Sequence, residues 1–185
     1  MAVSDEQVVL LSDAGIPIGV APKATVHTAD TPLHLAFSCH VFDVTGRVLV
    51  TRRALSKRTW PGVWTNSFCG HPAPGESFEG ALERRALDEL GLGSGALTKV
   101  EVALPDFRYR AVDASGIVEY EICPVYSAVL EAPDDLQFST DEVVEVQWCE
   151  PSALLASIEA TPWAFSPWLT LQLPSLMAAR AELAA

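Results

Sequence analysis

The sequence predicts an α+β fold in which a mixed β-sheet is flanked by helices. Short apolar runs separated by glycine-containing turns indicate strands, whereas one central segment and the Ala- and Leu-rich stretch from Pro151 indicate helices. These elements do not alternate in the strict βαβ order of a parallel sheet, which favours a mixed sheet. The 185 residues, of which 49% are hydrophobic and 19% charged, are enough for one core, so we expect a single domain over residues 1–185.

Two hairpins are predicted near the N-terminus. Residues 7–12 and 16–24 form apolar runs on either side of a turn at 13–15, which ends in Gly15. Residues 33–42 alternate between apolar and polar side chains, and residues 47–52 follow across a turn that ends in Gly46. The first half of the chain therefore contributes at least four strands.

The second half mixes helices and strands. Residues 77–90 have helical character and are followed by Gly91, a residue typical of a helix end. Strands are predicted over residues 107–111, 116–130 and 141–149, with a turn at 113–116. From Pro151 the chain is predicted to be helical, with breaks at Pro162, Pro167 and Pro174.

The charge of the chain bears on the kind of ligand that it binds. The net charge is −12, which excludes the broad basic face that a duplex nucleic-acid binder needs. Four of the twelve basic residues nevertheless fall within seven positions, at Arg52, Arg53, Lys57 and Arg58. Such a cluster on an acidic chain suggests a small anionic ligand, and a solvated loop is the open alternative.

The sequence also bears on compartment and partners. It has no run of about 18 apolar residues, and its first residues lack a basic region, so we expect neither a membrane span nor a signal peptide. The four cysteines have no C-x-x-C spacing, so free thiols in a reducing compartment are expected. A cytoplasmic protein that contacts neither nucleic acid nor membrane is predicted, as a monomer or weak dimer.

The histidines are candidate metal ligands. His34 and His40 share a face of the predicted strand, but at roughly 3.3 Å per residue they lie about 20 Å apart, too far to bind one ion. Residues 28–32 can loop back, so His27 and His34 could converge while His40 stays out. For each histidine alone, an ordinary surface or core imidazole is the alternative.

Glu119 and Glu121 form a carboxylate pair. Residues i and i+2 of a strand project from the same face, with Cα atoms roughly 6–7 Å apart. The segment is otherwise apolar, so two like charges on its half-buried face repel each other and are poorly solvated. A bound cation or one shared proton would relieve both effects. A solvent-facing side of an amphipathic strand is the alternative.

The stretch "NSFCGHPAPGE" at residues 66–76 contains the start of a motif that is typical of diphosphate binding. Gly70, Glu76, Arg84, Glu89 and Gly91 have the spacing of an element, residues 70–92, that resembles the Nudix box. In that box a glycine-rich loop approaches a diphosphate and helical carboxylates hold Mg²⁺ against it. The resemblance implies the Nudix fold, an α/β/α sandwich.

Two positions depart from the box. Arg85 stands where the family has its first glutamate, and Asp88 stands for the next acid. A cation within the carboxylate cluster is expected to weaken hydrolysis, because those acids organise the water that a metal activates.

Further blocks extend the resemblance over about residues 20 to 170. They are "HTADTPLHLAFS" at 27–38, "TRRALSK" at 51–57, "WPGVWTNSFCGHP" at 60–72, "PDFRYRA" at 105–111, "EYE" at 119–121 and "TPWAFSPW" at 161–168. Taken in this order, the blocks resemble the type I isopentenyl-diphosphate isomerases of the Nudix superfamily. That resemblance implies an enzyme of isoprenoid biosynthesis that interconverts isopentenyl and dimethylallyl diphosphate.

The resemblance also implies two metals and no organic cofactor. One ion, reported for the family as Zn²⁺, Mn²⁺ or Mg²⁺, is held by three histidines and two glutamates, which match His27, His34, His71, Glu119 and Glu121. A second ion, Mg²⁺, links the substrate diphosphate to Glu89 beside Cys69. The implied diphosphate contacts are Lys23, Arg53 and Lys57, with Arg84 adding to the field.

Proton-transfer roles follow from the same resemblance. The reaction adds a proton to one alkene carbon and removes one from a neighbour through a tertiary carbocation, so it needs an acid and a base on opposite faces. Glu121, or Tyr109 bonded to it, is expected to deliver the proton, and the Cys69 thiolate to take one. Trp163 is expected to shield the cation by a cation–π contact.

Two rival functions remain open at this point. One is a Nudix pyrophosphohydrolase that acts on a small diphosphate. The other is a non-catalytic module that binds metal or diphosphate without turnover. Arg85 argues against the first, and the Cys69–Glu121 pair argues against the second, since a sensor needs neither residue.

Overall fold

The structure, a computed structural model, describes residues 6–132 and 136–183 and contains two β-sheets. The first sheet has the strand order β2-β1-β3-β10-β9. Strands β3 and β10 pair in parallel, and the other neighbours pair antiparallel. Its strands are β1 (Gln7–Leu11), β2 (Pro17–Pro22), β3 (His34–Leu35), β9 (Arg108–Val112) and β10 (Val118–Ile122).

The second sheet has the order β12-β5-β4-β11-β8, with β6 paired to β5 and β7 paired to β4. Here β4 and β11 are parallel, so this sheet is mixed as well. Its strands are β4 (Phe37–Asp43), β5 (Val48–Arg53), β6 (Trp64–Thr65), β7 (Phe68–Gly70), β8 (Leu97–Leu104), β11 (Val125–Leu130) and β12 (Val143–Cys149).

The described helices are α1 (Lys23–Val26), α2 (Phe78–Leu90), α3 (Pro151–Ala160) and α4 (Pro167–Leu183), with a short 3₁₀ turn at Pro162–Ala164. Helix α2 begins where the Ser77 hydroxyl accepts a hydrogen bond from the Gly80 N–H, and it ends at Gly91 with φ of 71°. A Cβ atom at Gly91 would lie 2.6 Å from the Gln137 carbonyl oxygen, so a larger residue is excluded there. None of the helices in the described ranges is long and apolar enough to cross a membrane.

Side-chain alternation along β4 places helices on both faces of the second sheet. Phe37, Cys39 and Val41 pack against α2, whereas Phe42 packs with residues of α3 and α4. The second sheet therefore lies between two helical layers, and the predicted α+β class with an α/β/α sandwich is confirmed.

Several sequence-based expectations need correction. Residues 33–42 and 116–130 are not continuous strands, because the chain passes from the first sheet to the second at Ala36 and again at Pro124. Pro124 has no N–H to donate to a ladder, which explains the second interruption. Helix α4 continues through Pro174, since the buried Leu173 and Leu176 hold it in place. Strand β8 was not predicted from its sequence.

The two crossings lie side by side. The Ala36 N–H donates to the Ile122 carbonyl and the Ser38 N–H donates to the Pro124 carbonyl, at 2.9 and 3.1 Å. Residues just before and just after each crossing are therefore brought together where the two sheets diverge. The candidate site lies at this junction.

Candidate active site

A cavity of about 390 Å³ opens at the junction of the two sheets. Its wall is formed by strand ends, by α2 and by the loop that follows β5. Of the residues predicted for the site, it brings together Lys23, His27, Arg53, Lys57, Cys69, His71, Glu89, Tyr109, Glu119 and Glu121. His34 is fully buried behind this wall.

A histidine cluster, defined as His27, His34, His71 and Glu121, forms one end of the cavity. Parallel pairing sets His34 of β3 opposite Glu121 of β10, and His71 follows β7. The ring centroids of His34 lie 5.1 Å from those of both His27 and His71. One nitrogen or oxygen atom from each of the four residues lies within 4.8 Å of the others.

The ring nitrogens of this cluster fit a metal ion. His27 Nε2, His34 Nε2 and His71 Nδ1 are buried and have no hydrogen-bond partner among the described residues. His34 Nδ1 lies 2.9 Å from the Pro32 carbonyl oxygen, so it donates there and leaves the Nε2 lone pair free. Three imidazoles and one carboxylate are a donor set suited to a divalent transition metal.

Protonation of three of the four cluster residues agrees with that fit. Burial lowers the pKa of His27 to about 3 and the pKa of His71 to about 4, so both rings are neutral near pH 7. Burial alone would raise the pKa of Glu121, but the His34 and His71 rings beside its carboxylate outweigh burial and hold that pKa well below its usual range. Neutral imidazoles and an ionised carboxylate are the forms that bind a cation. His34 differs, because burial lowers its pKa but the neighbouring Glu121 carboxylate outweighs burial and raises it.

Glu119 lies beside the cluster rather than within the four-residue group. Its Oε1 accepts a hydrogen bond of 2.5 Å from the Thr59 hydroxyl, and its Oε2 lies 2.8 Å from the Tyr109 hydroxyl. The same hydroxyl lies 3.0 Å from Glu121 Oε2. Burial and the neighbouring Glu121 raise the pKa of Glu119, so the two acids differ in character despite sharing a face.

Cys69 occupies the middle of the cavity wall. It lies in β7 directly opposite Ser38 of β4, which places both side chains on one face of the sheet. Burial, together with the nearby Glu89 carboxylate, raises the pKa of the Cys69 thiol to about 12, against the opposing effect of Arg53. The raised pKa favours the thiol form of Cys69, and the thiolate role that the sequence resemblance implies stays a prediction.

Basic side chains also line the cavity, Lys23 and Arg53 among them. Lys23 Nζ donates to Glu6 Oε2 at 2.6 Å. Arg53 Nη2 donates to the Thr59 carbonyl oxygen at 2.9 Å, and its guanidinium carbon lies 5.2 Å from the centroid of the Trp168 ring. These cations are oriented by protein contacts toward one side of the cavity.

The α2 ion network, defined as Lys57, Arg85, Glu89 and Glu142, lines the cavity as well. Arg85 Nη2 lies 2.7 Å from Glu89 Oε1 and 3.2 Å from Glu142 Oε2, and Lys57 Nζ donates to the same Glu142 oxygen. Arg85 Nε also donates to the Cys69 carbonyl at 3.3 Å. Arg85 is 5% exposed, and its charge is balanced by carboxylates from two separate chain segments.

Besides the buried His34, two predicted site residues do not line the cavity. Arg84 donates to both carboxylate oxygens of Glu76 and to the His71 carbonyl, because adjacent helical positions point about 100° apart. It fixes the loop before α2, while Arg85 reaches the cavity. Trp163 lies in the 3₁₀ turn and is 76% exposed, whereas Trp168 faces the cavity.

Polar residues that line the cavity but were not predicted for the site include Thr59, Arg85 and Glu142. Arg85 carried a signal, because it departs from the Nudix box, but only its effect on hydrolysis was inferred. Glu142 carried no signal, since it is separated from α2 by more than fifty residues and is brought there by tertiary structure alone.

Comparisons with known proteins identify the relatives of this chain. The NUDIX domain family matches residues 32–169. A curated protein of Leifsonia xyli subsp. xyli named isopentenyl-diphosphate Delta-isomerase is 66% identical over 177 residues, which cover 96% of this chain and 94% of that protein. A protein of the same name from Corynebacterium glutamicum strain ATCC 13032 is 55% identical, with 94% of this chain and 92% of that protein covered.

Solved structures support the fold alone. A Deinococcus radiodurans protein, DR0079, matches with a TM-score of 0.72 at 20% identity and covers 91% of this chain and 98% of its own. The MutT protein of Methanosarcina mazei Go1 matches with a TM-score of 0.62 at 17% identity, with 83% and 97% covered. Both carry the architecture described above.

Proposed function

This chain belongs to the isopentenyl-diphosphate Delta-isomerase family of NUDIX-domain proteins, and we propose that it interconverts isopentenyl and dimethylallyl diphosphate. The observation that carries the proposal is the arrangement of the cavity. Basic side chains suited to a diphosphate and the histidine cluster suited to a metal flank one space, and Cys69 and the Tyr109–Glu121 pair lie on its wall.

Two proton carriers are available for a double-bond shift. We assign proton transfer on one face of the alkene to Glu121, acting with the Tyr109 hydroxyl 3.0 Å away, and on the other face to the Cys69 sulfur. One group gives a proton to a terminal carbon while the other receives a proton from C2, so the double bond moves and no bond to phosphate breaks.

Each direction of the reaction starts with the proton on a different one of the two groups. The low pKa of Glu121 and the high pKa of Cys69 favour an ionised carboxylate and a thiol. Formation of dimethylallyl diphosphate by the assignment above needs the opposite arrangement, with the proton on Glu121 and a thiolate at Cys69. The two arrangements differ by one transferred proton, so each of them serves one direction of a reversible reaction.

Charge on the substrate is handled by Lys23, Arg53 and Lys57, which orient the diphosphate, with Mg²⁺ at Glu89 beside Cys69. The NUDIX membership and the His/Glu group support a divalent ion, and we assign Zn²⁺ or Mn²⁺ to the histidine cluster because imidazoles outnumber carboxylates there. When bound, that ion would fix Glu121 and tune its acidity; Glu119, bonded to Thr59 and Tyr109, lies close enough to support it.

Aromatic side chains protect the carbocation from water. Trp168 is 2% exposed, and its ring contacts those of Trp60 and Tyr109 at 5.5 and 5.8 Å. An indole face stabilises a desolvated cation by about 2 kcal/mol. We assign this role to Trp168 in the conformation described here, and the role of Trp163 stays a prediction.

We also propose that the protein acts in the cytoplasm as a monomer or weak dimer on a free diphosphate. All four cysteines, each of which lies in a described segment, are free thiols, as a reducing compartment favours. Gel filtration with light scattering tests the oligomeric state: a tight tetramer would contradict this assignment.

A turnover assay tests the proposed reaction against the NUDIX hydrolase alternative. Purified protein is incubated with isopentenyl diphosphate, Mg²⁺ and Mn²⁺, and products are followed together with released phosphate. Dimethylallyl diphosphate without phosphate release supports the isomerase. Phosphate or pyrophosphate release without the isomer overturns it, in which case Arg85 does not suppress hydrolysis.

A further inference from the structure

We propose that Glu142 is a positioning residue of the diphosphate site, which holds Lys57 and Arg85 together at the cavity wall before the ligand binds. The inference deepens the proposed function and rests on it for the identity of the substrate. Glu142 precedes β12 and lies outside every sequence block that resembles the isomerases.

Contacts made by one oxygen atom carry the proposal. Glu142 Oε2 accepts a hydrogen bond from Lys57 Nζ and lies 3.2 Å from Arg85 Nη2. Two cations are thus held against a single carboxylate oxygen. Without that charge they would repel each other, and the lysine side chain would gain rotational freedom and turn toward solvent.

The backbone around Glu142 is fixed by its neighbours. Its N–H donates to the Ser139 carbonyl at 3.0 Å, and its own carbonyl accepts from the Ala54 N–H at 3.0 Å. The Ser139 N–H in turn donates to the Glu89 carbonyl of α2 at 2.9 Å. Glu142 therefore joins the helix that carries Arg85 to the loop that carries Lys57.

The anchored backbone indicates that Glu142 positions the two cations and does not compete with the diphosphate for them. A mobile acid could occupy the place of a phosphate and leave when the ligand arrives. An acid on an anchored backbone, with its side chain 22% exposed and bound to a buried guanidinium, remains in place. The diphosphate then meets two cations whose conformational entropy is already lost, which strengthens binding.

Positioning and competition predict opposite changes in diphosphate affinity when Glu142 loses its charge. Glu142→Gln removes one negative charge from an anion site, so electrostatics alone predicts tighter binding of a diphosphate. Loss of positioning predicts weaker binding. We expect the Kd of inorganic pyrophosphate with excess Mg²⁺, measured by calorimetry, to rise about tenfold in Glu142→Gln. Tighter or unchanged binding would overturn the proposal.

A matched control is available in β12, the strand that follows Glu142. Glu145 of β12 lies 3.5 Å from Arg52, and its side chain is 55% exposed. Glu145→Gln removes the same charge three residues away and is expected to leave the pyrophosphate Kd within about twofold of wild type, as for other exposed pairs. An equal loss in both variants would show a general charge effect and contradict positioning.

Steady-state kinetics and a double variant separate positioning from a structural role. Glu142→Gln is expected to raise KM for isopentenyl diphosphate by about tenfold with kcat within about twofold. Combined with Lys57→Gln, it should weaken pyrophosphate binding by less than the product of the two single losses. A fall in kcat at unchanged KM, or fully multiplicative losses, would contradict action through Lys57.

A second variant separates a folding defect from a loss of pyrophosphate binding. If Glu142→Gln does not fold, Glu142→Asp keeps the charge but shortens the reach by one methylene, and its pyrophosphate affinity should still fall; wild-type affinity would overturn the proposal. Pyrophosphate binding needs no turnover. An inactive wild-type protein that binds pyrophosphate in a Glu142-dependent way would therefore sink the isomerase assignment and leave this inference standing.

Discussion

In the histidine cluster, three buried ring nitrogens have no hydrogen-bond partner among the described residues, whereas in the α2 ion network each charged group contacts an opposite charge. The two regions meet within three residues, because Cys69 borders the network and His71 belongs to the cluster. Buried polar atoms without hydrogen-bond partners cost free energy, and a divalent ion is compatible with the cluster and would satisfy these nitrogens. The network is already balanced and preorganised for an exchange of charges.

The largest effect is expected at the boundary between the two regions. Cys69→Ala removes the proposed proton carrier without changing the charged residues on either side. We expect kcat to fall on the order of 10³-fold or more, as for loss of an essential acid or base. Metal content by mass spectrometry and pyrophosphate affinity should both match wild type. Full activity of Cys69→Ala would show that the sulfur moves no proton.

The next largest effect is expected when the charge balance within the α2 ion network is removed. Arg85→Gln leaves the Glu89 and Glu142 carboxylates near each other without their shared cation. The free energy of unfolding, measured with urea, should fall by about 3 kcal/mol, as for breaking a buried pair. Arg52→Gln, which disrupts an exposed pair, should cost less than about 1 kcal/mol. Equal losses would mean that the network is not balanced internally.

The histidine cluster is tested by metal content. His71→Ala should weaken Zn²⁺ or Mn²⁺ binding by about 100-fold, because a ligand is lost, and should leave pyrophosphate binding close to wild type. His40→Ala is the matched control, since His40 bonds Gln172 and lies outside the cluster. Unchanged metal affinity in His71→Ala, or an equal loss in His40→Ala, would break the comparison.

A smaller effect is expected on the pH dependence of stability. Burial lowers the pKa of His40 from 6.5 to about 4, so below pH 6.5 the unfolded chain binds a proton that the folded chain does not. Stability therefore falls as pH falls from 6.5 to about 4, with a contribution from His40 of about 1.4 kcal/mol per pH unit.

His40→Gln keeps a polar partner for Gln172 and removes the titrating ring. Its stability between pH 7 and pH 4.5, measured by urea unfolding at each pH, should decline less steeply than that of wild type. Because the other histidines are shared, the difference between the two slopes isolates His40. Identical slopes would mean that the ring is protonated in the folded protein.

The two regions also differ in how far the sequence predicts them. His27, His34, His71 and Glu121 fall inside recognisable blocks, and spacing alone indicated that His27 and His34 converge without His40. The family assignment that rests on these blocks is confirmed. Local sequence was informative here because each of these residues lies in or directly after a short helix or strand whose position the blocks fix.

The α2 ion network was less accessible from sequence. Arg84 and Arg85 are adjacent, and which of them reaches the cavity depends on the rotation of α2 and on the position of Glu76. Glu142 arrives from the loop before β12 through contacts with α2 and with the loop after β5. The change of sheet at Ala36 was hidden for a similar reason, since alternation continues through it.

The most direct test of the account is proton exchange with solvent. Isopentenyl diphosphate is incubated with the protein, Mg²⁺ and Mn²⁺ in D₂O, and both substrate and product are followed by NMR. We expect the wild-type protein to form dimethylallyl diphosphate that carries deuterium, and Cys69→Ala and Glu121→Gln to form none. Absence of both product and deuterium uptake with the metal-loaded wild-type protein would overturn the isomerase assignment.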